Sequence, residues 1–186
     1  MNALDVEPWT VERFFAWQED QEERFELVDG VPLMLAGASQ RHDMIAVNVI
    51  ARLSQGLHGK TGRTFTGHHA VRTGPGRIRR PTVGVDCGRP DPNDYLASAP
   101  AVIFEVLSRS TRSDDQLRKL EEYQAIPSLR HLVFVDTLDA VATHWHRPAE
   151  GEWKRVAIQG PLGAIELDAI AVTLLMEDVY EGVTFD

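Results

Sequence analysis

The chain has 186 residues, a formal net charge of −9 and one cysteine. This length suits one globular domain with its own hydrophobic core, and a single cysteine excludes an internal disulfide framework. The negative charge argues against a protein that coats nucleic acid non-specifically, because neutralising phosphates needs local lysine and arginine. The acidic start of the sequence has no long apolar run and predicts neither a signal peptide nor a membrane span, so we expect a cytoplasmic protein without membrane contact.

Charge is distributed unevenly along the sequence. Residues 1–30 hold nine acids and two bases, whereas residues 31–80 hold one acid, Asp43, and eight bases. Four of these bases lie close together just before an apolar segment: Arg72, Arg77, Arg79 and Arg80. They suit a strip that meets nucleic-acid phosphates at the mouth of a site. The alternative is a solvated loop with ordinary arginines.

The first predicted elements are a helix and a hairpin. Thr10 can cap a helix that runs to about Asp20 and has an apolar face. Two short apolar segments, 24–28 and 31–35, then flank Asp29 and Gly30, a pair that readily adopts the positive φ angles of a tight turn. This pattern predicts a β-hairpin with Glu26 on its first strand.

A long, largely buried helix is predicted next, from Ser39 as its cap to about His58, with His42 in its first turn. Residues 62–71 are compatible with a strand, and the run Gly74, Pro75, Gly76 predicts a turn. We expect a further strand from Arg79 to Cys87, in which Pro81 permits only an early or edge position.

Residues 101–107 form an almost continuously apolar run, which is typical of a strand buried on both faces. Glu105 is the single acid in this run. A buried carboxylate is costly unless it is paired or coordinates a metal, so Glu105 is the first candidate site residue. The alternative is a structural glutamate paired with an arginine.

The remaining pattern is a helix from about Asp115 to Gln124 that carries Lys119, and then a buried strand over residues 131–136. A strand, helix, strand unit of this length implies a parallel crossover. Residues 140–146 and 153–158 predict a hairpin, and residues 173–181 predict a short closing helix. We therefore expect one α/β (α+β) domain over residues 1–186, with a central mixed sheet between helices.

Five segments in this order resemble the Uma-two family, a bacterial group of endonuclease-like proteins with the PD-(D/E)XK restriction-endonuclease fold. The segments are Phe25–Gly30, Arg41–His42, Arg80–Asp86, Phe104–Ser108 and Lys119–Tyr123. The resemblance implies a nuclease site made by Glu26, Glu105 and Lys119, with the lysine moved from the strand to the following helix. It also implies His42 as a supporting residue, magnesium or manganese as cofactor, and DNA as substrate. A homodimer is plausible.

Position 82 departs from the family pattern, which has aspartate directly after Pro81 where this chain has Thr82. A neutral hydroxyl is a much weaker ligand for a hard divalent cation than a carboxylate is. Asp86 does not obviously replace it, because four residues along a strand displace a side chain by about 13 Å. We thus predict either a metal-dependent endonuclease with weakened metal binding at Glu105 and position 82, or an inactive relative that binds nucleic acid or a protein partner.

The other metal-ligating side chains carry weaker signals. His144 and His146 alternate along a predicted strand and so share a face, a spacing that can chelate zinc, but no third ligand is evident near them. We interpret them as residues of a polar face. Cys87 is interpreted as a small buried hydrophobe rather than a nucleophile.

Overall fold

A computed structural model describes residues 7–107 and 113–185. Residues 108–115 are predicted to form the loop and cap before the helix that carries Lys119, and residues 108–112 of that segment lie outside the described residues. The helices are α1 (Val11–Gln18), α2 (Gln40–Gly56), α3 (Ser113–Gln124) and α4 (Met176–Val179). The strands are β1 (Phe25–Val28), β2 (Val31–Met34), β3 (Arg63–Thr66), β4 (Val71–Gly74), β5 (Arg77–Arg79), β6 (Val83–Asp86), β7 (Pro100–Val106), β8 (His131–Val135), β9 (Val141–His146), β10 (Lys154–Gln159), β11 (Ala164–Leu167) and β12 (Val172–Leu175).

A six-stranded mixed sheet with the order β10-β9-β8-β7-β6-β3 forms the centre of the fold. Strands β7 and β8 pair in parallel, and β6 pairs with β7 in the antiparallel sense. A four-stranded sheet, β2-β1-β5-β4, and a two-stranded sheet, β11-β12, accompany it. The prediction of a central mixed sheet flanked by helices is confirmed.

Successive side chains of β7 face opposite sides of the central sheet, as the geometry of a strand requires. Phe104 belongs to the core that also contains Ile45 of α2, whereas Ile103 packs in a second core with Tyr123 of α3. All seven residues of β7 are buried. Glu105 is two residues from Ile103 and therefore lies on the same face of the sheet. Its carboxylate points towards α3 rather than into the core beneath α2.

Local signals in the first part of the chain are confirmed. The hydroxyl of Thr10 accepts a hydrogen bond from Arg13 N at 3.2 Å, and Ser39 caps α2 in the same way through His42 N at 3.3 Å. Asp29 and Gly30 have φ values of 49° and 78°, the left-handed conformation that a tight hairpin turn needs. This turn holds β1 and β2 in register, with Glu26 opposite Leu33.

The single strand predicted for Arg79 to Cys87 is wrong. The structure has two strands there, β5 in the four-stranded sheet and β6 in the six-stranded sheet. The physical reason lies between them: Pro81 has no backbone N–H to donate, and Arg80 donates its own N–H to the Glu26 carboxylate at 2.9 Å instead of to a strand. The chain therefore changes sheets at Arg80–Thr82.

The helix predicted for residues 173–181 is partly wrong. Residues 172–175 form β12, whose side chains alternate between buried and exposed and which pairs with β11, a strand that the sequence analysis did not identify. Only Met176–Val179 is helical in this segment. None of the helices within residues 7–107 and 113–185 is long and apolar enough to cross a membrane.

Candidate active site

The carboxylate of Glu105 is held by two side chains of α3. Nζ of Lys119 lies 3.3 Å from each of its oxygens, and the hydroxyl of Tyr123 donates to Oε1 at 2.7 Å. Lys119 and Tyr123 are four residues apart, so they lie on the same face of the helix. The structure thus brings together Glu105 and Lys119, which are 14 residues apart in sequence.

Glu26 approaches the same lysine from β1. Its Oε1 lies 4.0 Å from Nζ of Lys119 and accepts the Arg80 N–H, while its Oε2 accepts from Arg79 Nη1 at 2.9 Å. Glu26 and Glu105 are both buried. Two acidic side chains from two different sheets therefore converge on one ammonium group.

Arg79 is a buried connector rather than a surface base. Its side chain is 2% exposed, and its Nε and Nη2 both donate to the carboxylate of Glu122 at 2.8 Å. Glu122 also accepts from the hydroxyl of Thr73 at 2.8 Å. Although burial alone would raise the pKa of Glu122, the hydrogen bonds and charge of Arg79 lower it below its ordinary value. The Arg79 guanidinium thus links Glu122 to Glu26 and holds the Glu26 carboxylate in place.

Thr82 and His42 both lie next to the end of β7. Val83, the first residue of β6, is paired with Phe104, so Thr82, one residue before β6, lies beside Glu105 of β7. The hydroxyl of Thr82 accepts a hydrogen bond from Val106 N at 3.1 Å. Burial lowers the pKa of His42, although Asp43 and the backbone of Val106 oppose that effect. His42 is therefore more readily neutral than an exposed histidine.

These side chains line one open cleft with a volume of about 660 Å³. Its polar part contains Glu26, Thr82, Glu105 and Lys119, as well as His42. Its walls include residues of β2 and α2 that are apolar and well exposed, namely Leu33, Met34 and Val47. The predicted site residues Glu26, Thr82, Glu105, Lys119 and His42 therefore share one solvent-accessible cavity.

The four arginines predicted to form a phosphate-binding strip do not form a continuous exposed surface. Arg79 is buried in ion pairs, and Arg80 is buried with its guanidinium donating to the backbone carbonyls of Phe25, Gly67 and His68. Arg72 is exposed, and Arg77 pairs with Asp29. Short-range pattern could not reveal this difference, because the burial of Arg79 and Arg80 depends on contacts with residues far away in sequence, Glu26 and Glu122 among them. A nucleic-acid contact by any of the four stays a prediction.

The charges in the cleft influence one another strongly. Burial raises the pKa of Glu105 above its ordinary value, with Lys119 opposing this effect and Glu26 adding to it. For Lys119, burial favours the neutral amine, but the charges of Glu105 and Glu26 outweigh it and raise the pKa. Lys119 is therefore a protonated ammonium at neutral pH, held between two carboxylates.

Residues 11–177 match the model of a protein family described as "Uma2: Putative restriction endonuclease". The chain belongs to the Uma2 family. This finding confirms the family resemblance from which the roles of Glu26, Glu105 and Lys119 were predicted.

Individual relatives agree with this assignment. The chain is 26% identical over 181 residues to an uncharacterized protein of Synechocystis, slr1290. The aligned residues make up 94% of this chain and 92% of slr1290. A second uncharacterized Synechocystis protein, sll1609, is 22% identical over 167 residues, or 88% of this chain and 94% of its own. The fold resembles a crystal structure described as a putative nuclease belonging to DUF820 from Anabaena variabilis, with a TM-score of 0.76, 14% identity and coverage of 95% of this chain and 100% of that one.

The donor set of this Uma2 chain suits magnesium only in part. Mg²⁺ commonly binds through one or two carboxylates together with substrate phosphate oxygens and water. Glu105 and Glu26 supply the two carboxylates, and Thr82 supplies a neutral hydroxyl. Within residues 7–107 and 113–185, no group of three or more His, Cys, Asp or Glu side chains is arranged to hold a metal ion. The residues therefore fit an ion that is held jointly by protein and substrate.

Sequence reasoning missed the side chains that position the two glutamates. Tyr123 holds Glu105, and the pair of Arg79 and Glu122 holds Glu26. A signal for Tyr123 was available, because it follows Lys119 at helical spacing and belongs to the same family segment. Asp86 lies at the other end of β6, where Arg63 and the N–H groups of Gly88 and Ala99 bind its carboxylate.

His144 of β9 is buried beside His131 of β8, away from the cleft, whereas His146 is half-buried. His131 Nδ1 lies 3.0 Å from His144 Nε2, and His131 Nε2 lies 2.8 Å from an oxygen of Asp168. Burial lowers the pKa of both His131 and His144 to about 4. The two rings are thus neutral at physiological pH.

We predict that acid destabilises the chain through His131 and His144. Their pKa values in the folded state, about 4, lie below the ordinary value of about 6.5, so the unfolded chain binds more protons between these limits. The contribution of the two neutral histidines to the free energy of unfolding is fully present above about pH 6.5. It falls as the pH drops towards 4, by up to about 1.4 kcal/mol per pH unit for each histidine. Urea unfolding at about pH 7.5 and pH 5 measures the loss. His144→Gln should reduce it, whereas replacing the exposed His58 with glutamine should not.

Proposed function

We propose that this Uma2 chain is a divalent-metal-dependent deoxyribonuclease, weakened by threonine at position 82. The observation that carries the proposal is the convergence of Glu26, Glu105 and Lys119, from β1, β7 and α3, in one open cleft. Two carboxylates and one cation are the groups that metal-assisted phosphodiester hydrolysis needs. The family and the nuclease-like fold support the same reaction class.

Each side chain has a distinct role in this proposal. Glu105 and Glu26 are the residues that would hold the divalent ion. A magnesium or manganese ion bound there would polarise the phosphate and make a nearby water more acidic. Lys119 orients the attacking water and stabilises the negative charge that develops on the phosphate oxygens. Tyr123 holds one oxygen of Glu105, and Arg79 holds one oxygen of Glu26.

A second candidate function is that of an inactive nuclease-fold module that binds nucleic acid or a protein partner. Two observations favour it: a hydroxyl, that of Thr82, stands where the family pattern has a carboxylate, and Lys119 already pairs with the two glutamates. Such a module would bind DNA without metal and without Glu105. The two candidates therefore differ in one measurable property.

The test is a plasmid-nicking assay with Mg²⁺ or Mn²⁺. We expect Glu105→Gln to lower the nicking rate at least tenfold, because the amide keeps the size of the side chain and loses the charge that holds the ion. Glu121→Gln is the matched control, since Glu121 is exposed on α3 near the site. Equal nicking by wild type and Glu105→Gln would show that this site does not carry the cleavage and would overturn the proposal. Metal-independent DNA binding with no cleavage by either protein would favour the inactive module.

A further inference from the structure

The ammonium group of Lys119 lies where a cation shared by Glu26 and Glu105 would lie. Its Nζ is equidistant from the two oxygens of Glu105, at 3.3 Å, and is 4.0 Å from Glu26. The Lys119 side chain is 14% exposed and both glutamate side chains are 7% exposed, so water screens this contact weakly. The site already contains a resident positive charge.

The charge of the surrounding side chains leaves little attraction for a second cation. The charged residues that line the cleft balance in number: Glu26, Asp43, Glu105 and Asp115 are acidic, and Arg24, Arg79, Arg80 and Lys119 are basic. Thr82 is neutral where the family pattern has an additional carboxylate. A dication that enters alone would therefore meet no net negative charge in the cleft, and the ammonium beside the two carboxylates would repel it.

A bound phosphodiester changes both the charge of the cleft and the position open to Lys119. It brings one negative charge and oxygen donors to the cleft, and it offers Lys119 an alternative partner. The lysine side chain has a flexible four-carbon stem, and Lys119 lines the open cleft rather than the closed core. Once Lys119 turns from the glutamates to a phosphate, Glu105 and Glu26 are available to the metal.

We propose that Lys119 is the resident cation of the two-glutamate site, and that it makes the binding of the divalent ion depend on the phosphodiester. Metal and phosphodiester then bind together, and each raises the affinity for the other by the same factor. This inference rests on the proposed nuclease function and specifies how its site is regulated. It predicts a protein that holds little metal until DNA is present.

The experiment measures Mn²⁺ binding by electron paramagnetic resonance, with and without a five-nucleotide phosphorothioate oligothymidylate that resists cleavage. For wild type we expect weak Mn²⁺ binding that the oligonucleotide strengthens at least tenfold. Lys119→Met keeps an unbranched side chain of similar shape and removes the terminal ammonium group, so its Mn²⁺ affinity without oligonucleotide should exceed that of wild type at least tenfold. Lys154→Met, on the exposed strand β10, is the control for loss of one positive charge.

A second variant keeps the test valid if Lys119→Met does not fold. Thr82→Asp retains the lysine and adds one negative charge, so it should bind Mn²⁺ without oligonucleotide and show a smaller effect of the oligonucleotide than wild type does. If the oligonucleotide did not change the Mn²⁺ affinity of wild type, the inference would be overturned. The proposed nuclease function would still stand in that case if nicking required metal. Absence of Mn²⁺ binding by wild type and both variants, with and without oligonucleotide, would overturn both.

Discussion

Replacing Arg79 with methionine should lower the free energy of unfolding by about 3–5 kcal/mol. Arg79 forms two hydrogen bonds to Glu122 and one to Glu26, and all three side chains are buried. Removing the guanidinium leaves two buried carboxylates with weaker cationic partners, Arg118 at 3.2 Å from Glu122 and Lys119 at 4.0 Å from Glu26, which costs more than the lost hydrogen bonds alone. Urea unfolding at neutral pH measures the change.

A matched control separates burial from charge. Arg77→Met removes an arginine two residues earlier, whose partner Asp29 is exposed, and should change stability by at most about 1 kcal/mol. Adding Glu122→Gln to Arg79→Met should recover part of the loss, because it removes a buried charge that has lost its bidentate partner. If Arg79→Met were as stable as Arg77→Met, the connector role of Arg79 would be wrong.

Thr82→Asp should raise the metal-dependent nicking rate on the order of 10- to 100-fold, the range by which single groups around a metal commonly alter its affinity or activity. One carboxylate oxygen can accept the Val106 N–H that the threonine hydroxyl accepts now, and the other is then available beside Glu105. Without metal, the added carboxylate should lower the melting temperature, because it repels Glu105 and Glu26. Mn²⁺ should reverse that loss by binding the folded state.

Thr82→Asn is the control for this prediction. Asparagine has nearly the size of aspartate and can accept the same backbone hydrogen bond, but it adds no charge. It should leave both the melting temperature with Mn²⁺ and the nicking rate near those of wild type. If Thr82→Asp and Thr82→Asn behaved alike in both assays, position 82 would not be a vacated metal ligand.

Glu105 illustrates how much of the site the sequence could predict. One acid in a strand of seven buried residues must have a partner, so the sequence alone identified it as special. The partner could not be read from the same pattern, because an arginine, a lysine or a metal would each satisfy it. The family resemblance selected Lys119, and the structure places Lys119 in contact with Glu105.

Arg79 and Arg80 illustrate the opposite case. Their spacing with Arg72 and Arg77 predicts a basic surface, yet their burial depends on where β5 ends and on which sheet each following residue joins. Those features follow from the hydrogen bond between Arg80 N and Glu26, 54 residues earlier in the chain. Local pattern carries no information about such a contact, whereas the hairpin at Asp29 and Gly30 depends only on adjacent residues.

The most direct test of the proposed site is a crystal structure of the wild-type chain with Mn²⁺ and the phosphorothioate oligonucleotide, in which anomalous scattering locates the metal. We predict a manganese ion about 2.1 Å from an oxygen of Glu105, close to Glu26 and a phosphate, with Nζ of Lys119 moved towards the oligonucleotide. An oligonucleotide bound in the cleft with no manganese at Glu105, and with Lys119 still between the two glutamates, would contradict a metal-dependent nuclease.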